Sequence, residues 1–272
     1  MSEFEVMIPK RKYQIAKSKH KLCSPQIIAP NGEKLFLHVP DELELRMAWH
    51  VMERYTARIA PNPESALQDL DSINNVVAYH LNPQSSYIAF TAVDSSKMPV
   101  AIATTQIFPV SGRVKRGAEG LGFIYQMGLD ERVSLNKQDE TDLSVVTQLY
   151  NCLSELLPKI SIYNNHAWLG LVTESRKEGP ELEAILEAGF DVLVPNEFYT
   201  PPAVQQGNVK DKKNLTTGDL VLLTRDMPKE PRLQLASAEA YLKHAYCNGQ
   251  DLSQSLELVR AYFAKKVIPN FF

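Results

Sequence analysis

Apolar residues recur along this chain at two spacings, every second position and every third or fourth, and the change from one to the other marks out its elements. Lys34 to Val39 reads as a first strand after the turn signal Pro30-Asn31-Gly32-Glu33. Pro40-Asp41 then starts a helix, with Asp41 as N-cap and Glu44 three positions on; Leu45, Trp49, Met52, Thr56 and Ile59 form its apolar face until Pro61. A second helix is expected from Asn62-Pro63, with Ala66, Leu70, Ile73 and Val77 on one side. Two β runs follow, Ser86 to Val93 and Val100 to Phe108, joined as an antiparallel hairpin through Asp94 to Pro99.

The central stretch, from Gly122 to Phe190, carries the strongest pattern. Phe123 to Leu129 is an apolar strand, and Asp130 to Glu140 is polar. Leu143, Val146, Leu149, Tyr150, Leu153, Leu156 and Leu157 then trace a helix expected to stop at Pro158. His166 to Val172 is a further strand. Gly179-Pro180 opens a short helix with Leu182, Ile185 and Leu186 inward, and Gly189 is placed to form its left-handed C-cap. Asp191 to Val194 and Asp219 to Leu223 are two more strands, separated by a long loop from Tyr199 to Gly218. Beyond them, Ser237 to Tyr246 and Asp251 to Val267 predict a helical pair, expected to pack on the core or on a second subunit.

Composition narrows the class. The 272 residues are 44% hydrophobic and 22% charged, which suffices for one sizeable core. A formal net charge of -3 gives no general drive toward nucleic acid or anionic membrane. Cys23, Cys152 and Cys247 are far apart and in no metal-ligand spacing, which fits reduced thiols and a cytoplasmic protein. No signal-peptide pattern and no apolar run of bilayer length is present. Three divisions result: a basic N-terminal arm over residues 1 to 33, a domain over 34 to 226 and a helical extension over 227 to 272.

Several residues admit two readings. The arm carries Lys10, Arg11, Lys12, Lys17, Lys19, His20 and Lys21 with no acid among them, either as a solvated tail or as a contact for an anionic partner. His50 and His80 fit packing or surface positions, having no second ligand at helical spacing. Cys152 lies between Leu149 and Leu153 and fits a buried, inert thiol. His166, at the start of a strand, could act on a substrate or simply cap the strand edge.

The element order (strand, two helices, three strands, helix, strand, helix, two strands) resembles the GNAT superfamily of acyl-CoA-dependent N-acyltransferases. So does the run Glu181-Leu182-Glu183-Ala184-Ile185-Leu186-Glu187-Ala188-Gly189-Phe190, a helix closing on Gly-Phe before a strand. The resemblance covers roughly residues 34 to 226. It implies an α/β fold: a mixed, mostly antiparallel sheet of about seven strands, with the fourth and fifth splayed apart, flanked by helices, to which the C-terminal helical hairpin is added. It also implies transfer of an acyl group from acyl-CoA to an amine by direct attack in a ternary complex. The pantetheine arm would lie along Tyr125-Gln126-Met127-Gly128-Leu129, and the pyrophosphate on backbone N–H groups at the start of the next helix.

Two departures from the family pattern stand out. The segment from Asp130 to Asp142 has no glycine and several carboxylates, where the family has a glycine-rich phosphate loop; Arg132, Ser134, Asn136 and Lys137 remain as donors. Asp139 or Thr141 would otherwise serve only to cap the helix. Arg116 to Gly122 is glycine-rich, but it precedes a strand instead of opening a helix and is rejected as the phosphate loop. The position of the family's thiolate-protonating tyrosine, five before Phe190, is Ile185. Among groups able to serve catalysis, Glu119 just before the fourth strand and Tyr125 on it are the candidates. Two alternatives stay open. One is an acyl-signal synthase fed by an acidic acyl-carrier protein, docking on the basic patch around Arg113 to Arg116 and on the arm. The other is a binding protein that has lost the phosphate loop. A homodimer is compatible with either.

Overall fold

The computed structural model describes residues 26–60, 62–68, 70–82, 85–110, 119–134, 143–163, 166–177, 180–199, 220–246 and 251–267. The fold is mixed α/β, an eight-stranded, mostly antiparallel sheet with flanking helices, in the strand order β1 (Gln26–Ile28), β2 (Lys34–His38), β3 (Tyr87–Val93), β4 (Pro99–Val110), β5 (Glu119–Leu129), β6 (Ala167–Arg176), β8 (Leu220–Arg225), β7 (Asp191–Val194). The chain divides into two compact units, Met1–Ile107 with Ile124–Leu156, and Phe108–Phe123 with Leu157–Phe272.

The first unit holds β1 (Gln26–Ile28), β2 (Lys34–His38), α1 (Glu42–Ile59), α2 (Pro63–Gln68), α3 (Ile73–Leu81), β3 (Tyr87–Val93) and most of β4 (Pro99–Val110). It also takes the second half of β5 (Glu119–Leu129), then α4 (Glu131–Ser134) and the first part of α5 (Ser144–Tyr163). Asp41 caps α1 as its spacing predicts, accepting the Glu44 N–H at 2.8 Å. Leu45, Trp49 and Met52 of α1 pack with Val76 and Val77 of α3, Tyr87 and Ile102. The single helix expected over residues 62 to 77 is two, α2 and α3, because Ser72 starts a fresh helix with its own first-turn bonds. β1 lies within the stretch read as an arm: Ile27 is fully buried and Ile28 exposed, and three residues are too short a run to show periodicity. Its outer edge is closed by the Gln148 side chain, whose amide exchanges two 2.8 Å bonds with the Ile28 backbone.

The second unit holds the first half of β5, the end of α5, β6 (Ala167–Arg176), α6 (Pro180–Glu187), β7 (Asp191–Val194), β8 (Leu220–Arg225), α7 (Pro231–Ala245) and α8 (Ser253–Val267). α5 does not stop at Pro158 but runs on to Tyr163. Proline's fixed φ is helical, so it costs one backbone bond, and burial of Leu157, Ile160 and Ser161 on either side outweighs that loss. Gly189 closes α6 at φ +81, the left-handed cap expected of it. β8 pairs antiparallel with both β6 and β7. α7 packs on β6 and β7, and α8 packs on α7 through buried Val259 and Phe263 and the 2.6 Å Arg260–Glu239 ion pair. The helical pair therefore packs on the core, the first of its two expected settings. α7 starts at Pro231, six residues before the expected Ser237, because proline suits the first helical turn.

Candidate functional site

β5 opens with Glu119-Gly120-Leu121-Gly122-Phe123, and strand alternation sends these side chains to opposite faces. Glu119, Leu121 and Phe123 share one face, where the Phe123 ring meets Tyr241 of α7 edge-on at 5.2 Å. Gly120 and Gly122 leave the other face bare of side chains. Neighbours use that space: a Cβ on Gly120 would sit 1.9 Å from Ser161 Oγ, and one on Gly122 would sit 2.8 Å from the Trp168 ring.

Four buried polar atoms around this strand end have no hydrogen-bond partner among the described residues: Glu119 Oε2, Ser161 Oγ, His166 Nδ1 and Trp168 Nε1. Folded proteins keep few such atoms, since each forfeits ~1–3 kcal/mol of solvation without return. Trp168 can only donate and the Glu119 carboxylate can only accept, whereas Ser161 and His166 can do either. The backbone fixes the cluster, with the His166 N–H bonded to Ser161 O at 3.0 Å. By alternation, Ser161 and Trp168 lie on the glycine face and Glu119 on the α7 face.

Tyr125, the other residue with candidate catalytic chemistry, belongs to the first unit. Its hydroxyl donates to Gln106 Oε1 at 3.1 Å, and the Gln106 amide donates to Ser86 Oγ at 3.1 Å. Gln126 and Met127 are half-buried and Leu129 is buried, its carbonyl accepting from Arg58 at 3.4 Å.

Just past β5, Arg132 is tied into an ion-pair network. Its Nε donates to Asp130 Oδ1 at 2.8 Å and its Nη1 to Asp94 Oδ2 at 2.9 Å, while Arg54 donates to Asp130 Oδ2 at 2.8 Å. Both carboxylates are buried. Burial works against the Asp130 carboxylate, but the hydrogen bonds from Arg132 and the charges of Arg132 and Arg54 outweigh it, holding the carboxyl below the usual range. Two cations and two anions leave this network formally neutral. Ser134 ends α4, and Asn136 and Lys137 lie outside the described residues, as do Asp139, Thr141, the basic patch around Arg113 to Arg116 and the basic arm.

Ile185 is 1% exposed and packs in the core, so no side-chain acid stands at that position. Sequence reasoning missed a different acid. Glu174 of β6 is half-buried, and its carboxylate accepts from the Tyr199 hydroxyl and from the Tyr246 hydroxyl at 2.8 to 2.9 Å. Burial pushes the Glu174 carboxyl up and pushes the Tyr199 hydroxyl well above its ordinary value. The one available signal was an acid at an inward strand position, with two distant tyrosines to pair it.

The other flagged side chains are structural. His80 is buried: Nδ1 accepts the Ala89 N–H at 3.1 Å, so Nε2 carries the proton and donates to Pro40 O at 3.0 Å. Burial pushes the Cys152 thiol up to about 12, which leaves it inert. Among the described residues no helix is long and apolar enough to cross a membrane, and no group of three or more His, Cys, Asp or Glu could hold a metal ion.

No protein-family model matches the chain, and no curated protein matches it in sequence. Solved structures do resemble it. A GNAT-family acetyltransferase from Listeria monocytogenes aligns at TM-score 0.43 and 8% identity, covering 74% of this chain and 98% of its own. Spermidine N-acetyltransferase from Vibrio cholerae, in complex with CoA and spermine, aligns at 0.46 and 12%, covering 70% and 94%. The ribosomal-protein-S18-alanine N-acetyltransferase from Escherichia coli aligns at 0.38 and 14%, covering 70% and 92%.

Proposed function

We propose that this protein is a cytoplasmic N-acyltransferase of GNAT type, moving an acyl group from a coenzyme A thioester to an amine in a ternary complex. The observation that carries the reading is Glu119 Oε2, a buried acceptor at the start of β5 with no hydrogen-bond partner among the described residues. In the reaction the amine nitrogen attacks the thioester carbonyl, the C–S bond breaks, coenzyme A leaves as thiolate, and the amine proton passes to Glu119. The backbone of Tyr125 to Leu129 pairs with the pantetheine arm. Arg132, Ser134, Asn136 and Lys137 supply donors to the phosphates, and Tyr125 is a second polar group for proton transfer.

Calorimetry with acetyl-CoA and a long-chain acyl-CoA, followed by thioester-consumption assays over a panel of amines, tests this. Glu119→Gln is expected to leave donor affinity intact and lower kcat by ~10²–10⁴. Absence of binding by either thioester to folded protein refutes the reading.

A second reading has its own observation. Because Arg132 is neutralised by Asp94 and Asp130, its hold on a pyrophosphate is weakened. A carrier protein presents the same pantetheine arm without a pyrophosphate. Turnover that requires acyl-carrier protein, with no free-CoA binding, favours that acyl-signal synthase.

A further inference from the structure

The β7–β8 pair, with the start of α7 and the end of α8, forms a half-open cleft of about 330 Å³. Among its lining residues are Asp191, Asp226, Lys229 and Lys266, two acids and two bases, with Val192 and Gln234. All four are solvent-exposed, and none pairs with another. Asp226 makes a 3.9 Å contact with Arg225 Nε, outside the four. Lys266 Nζ rests over the rings of Tyr262 and Phe263, at 4.5 and 5.5 Å from their centroids, which leaves its N–H donors open. Asp191 and Lys229 have no ion pair among the described residues.

Asp226 sits at φ 61, a left-handed conformation that aspartate adopts more readily than most residues. Val192 is 44% exposed on the edge strand and offers the cleft an apolar spot. An anion here would meet two carboxylates, and a cation two ammonium groups. A ligand bearing both charges gains at each end. The volume is at the small end of the ~300–1,000 Å³ typical of small-molecule sites.

We propose that this cleft binds a zwitterion of the α-amino acid type, as a free amino acid or an uncapped short peptide. The ammonium group lies at Asp191 and Asp226, the carboxylate at Lys229 and Lys266, and an apolar side chain against Val192. This does not depend on the acyl-transfer reading.

Calorimetry on the full chain tests it with L-leucine, N-acetyl-L-leucine, L-leucinamide and the dipeptide Leu-Leu. One or both uncapped zwitterions should bind saturably, with the two singly capped leucines at least about tenfold weaker. Tighter Leu-Leu identifies a peptide as the ligand, and tighter leucine a free amino acid. Asp226→Asn, which tolerates the left-handed backbone, and Lys266→Met should each weaken binding by about tenfold or more at unchanged melting temperature. No binding of either zwitterion at millimolar concentration, equal binding of the capped forms, or unaltered affinity in both variants overturns the proposal.

Discussion

Glu174 offers the sharpest test of the core of the second unit. Its half-buried carboxylate is held by the hydroxyls of Tyr199 and Tyr246, which come from separate segments of the chain. Tyr199→Phe deletes one donor and keeps the ring. A hydrogen bond to a charged group contributes ~1.5–3 kcal/mol, so the single variant should lose about that much unfolding free energy. The double variant Tyr199→Phe/Tyr246→Phe leaves the carboxyl with neither donor and should lose more than the single variant does. The sign of the pH dependence is fixed by burial. Desolvation raises the native Glu174 pKa above its ordinary 4.5, so between the unfolded and native values the native state holds more protons. Stability from this group is therefore fully present below the unfolded value and declines as pH rises through the native one. Glu174→Gln cannot titrate and should flatten that part of the profile. Urea unfolding from acid to neutral pH measures both effects. A Tyr199→Phe loss under ~0.5 kcal/mol, the level of an ordinary surface substitution, would refute the reasoning, as would an unaltered pH slope in Glu174→Gln.

Arg132→Ala should lower stability by ~1–3 kcal/mol, because it exposes Asp94 and Asp130 to each other without their shared cation. In the wild type, the depressed Asp130 pKa means that its contribution is present above the ordinary 3.8 and disappears as pH falls through the native value. Acid titration of unfolding should show a smaller loss in the variant. Gly120→Ala places a methyl 1.9 Å from Ser161 Oγ and is expected to cost ~1–3 kcal/mol by overpacking; adding Ser161→Ala should recover part of that, a non-additivity readable by denaturation. Cys152 should resist a thiol reagent in the folded protein and react at once in denaturant, since its thiol is pushed up to about 12 and buried.

Much of the fold was legible because its periodic segments are long. The α1 face from Leu45, the hairpin at Asp94 and the Gly189 cap each follow from local chemistry that tertiary packing did not override. β1 escaped because three residues cannot display a period, and the continuation through Pro158 escaped because only burial decides whether one lost bond is tolerated. The site was less legible for a different reason. Glu119 could be named from its place before a strand, but Ser161 and Trp168 gain meaning only when two glycines let them close on that strand. Glu174 needs Tyr199 and Tyr246, respectively 25 and 72 positions away, to be recognised as more than an inward-facing acid.

The Arg132 network bears on how such a protein could hold its donor. A helix start that binds pyrophosphate works by presenting uncompensated positive potential, from backbone N–H groups and a free cation. Here the nearest described cation already makes bonds of 2.8 and 2.9 Å to two buried carboxylates, and Arg54 engages one of them as well. For Arg132 to turn to a phosphate it must release both acids, leaving Asp130 to Arg54 and a backbone N–H and Asp94 to two backbone N–H groups. The cost is comparable with the gain from a charge-assisted phosphate bond, so the exchange is close to neutral. On the acyl-transfer reading proposed above, donor affinity would then rest mainly on a pantetheine arm along β5. That arm is common to acyl-CoA and acyl-carrier protein, which makes the choice between them a matter of what lies beyond the phosphate.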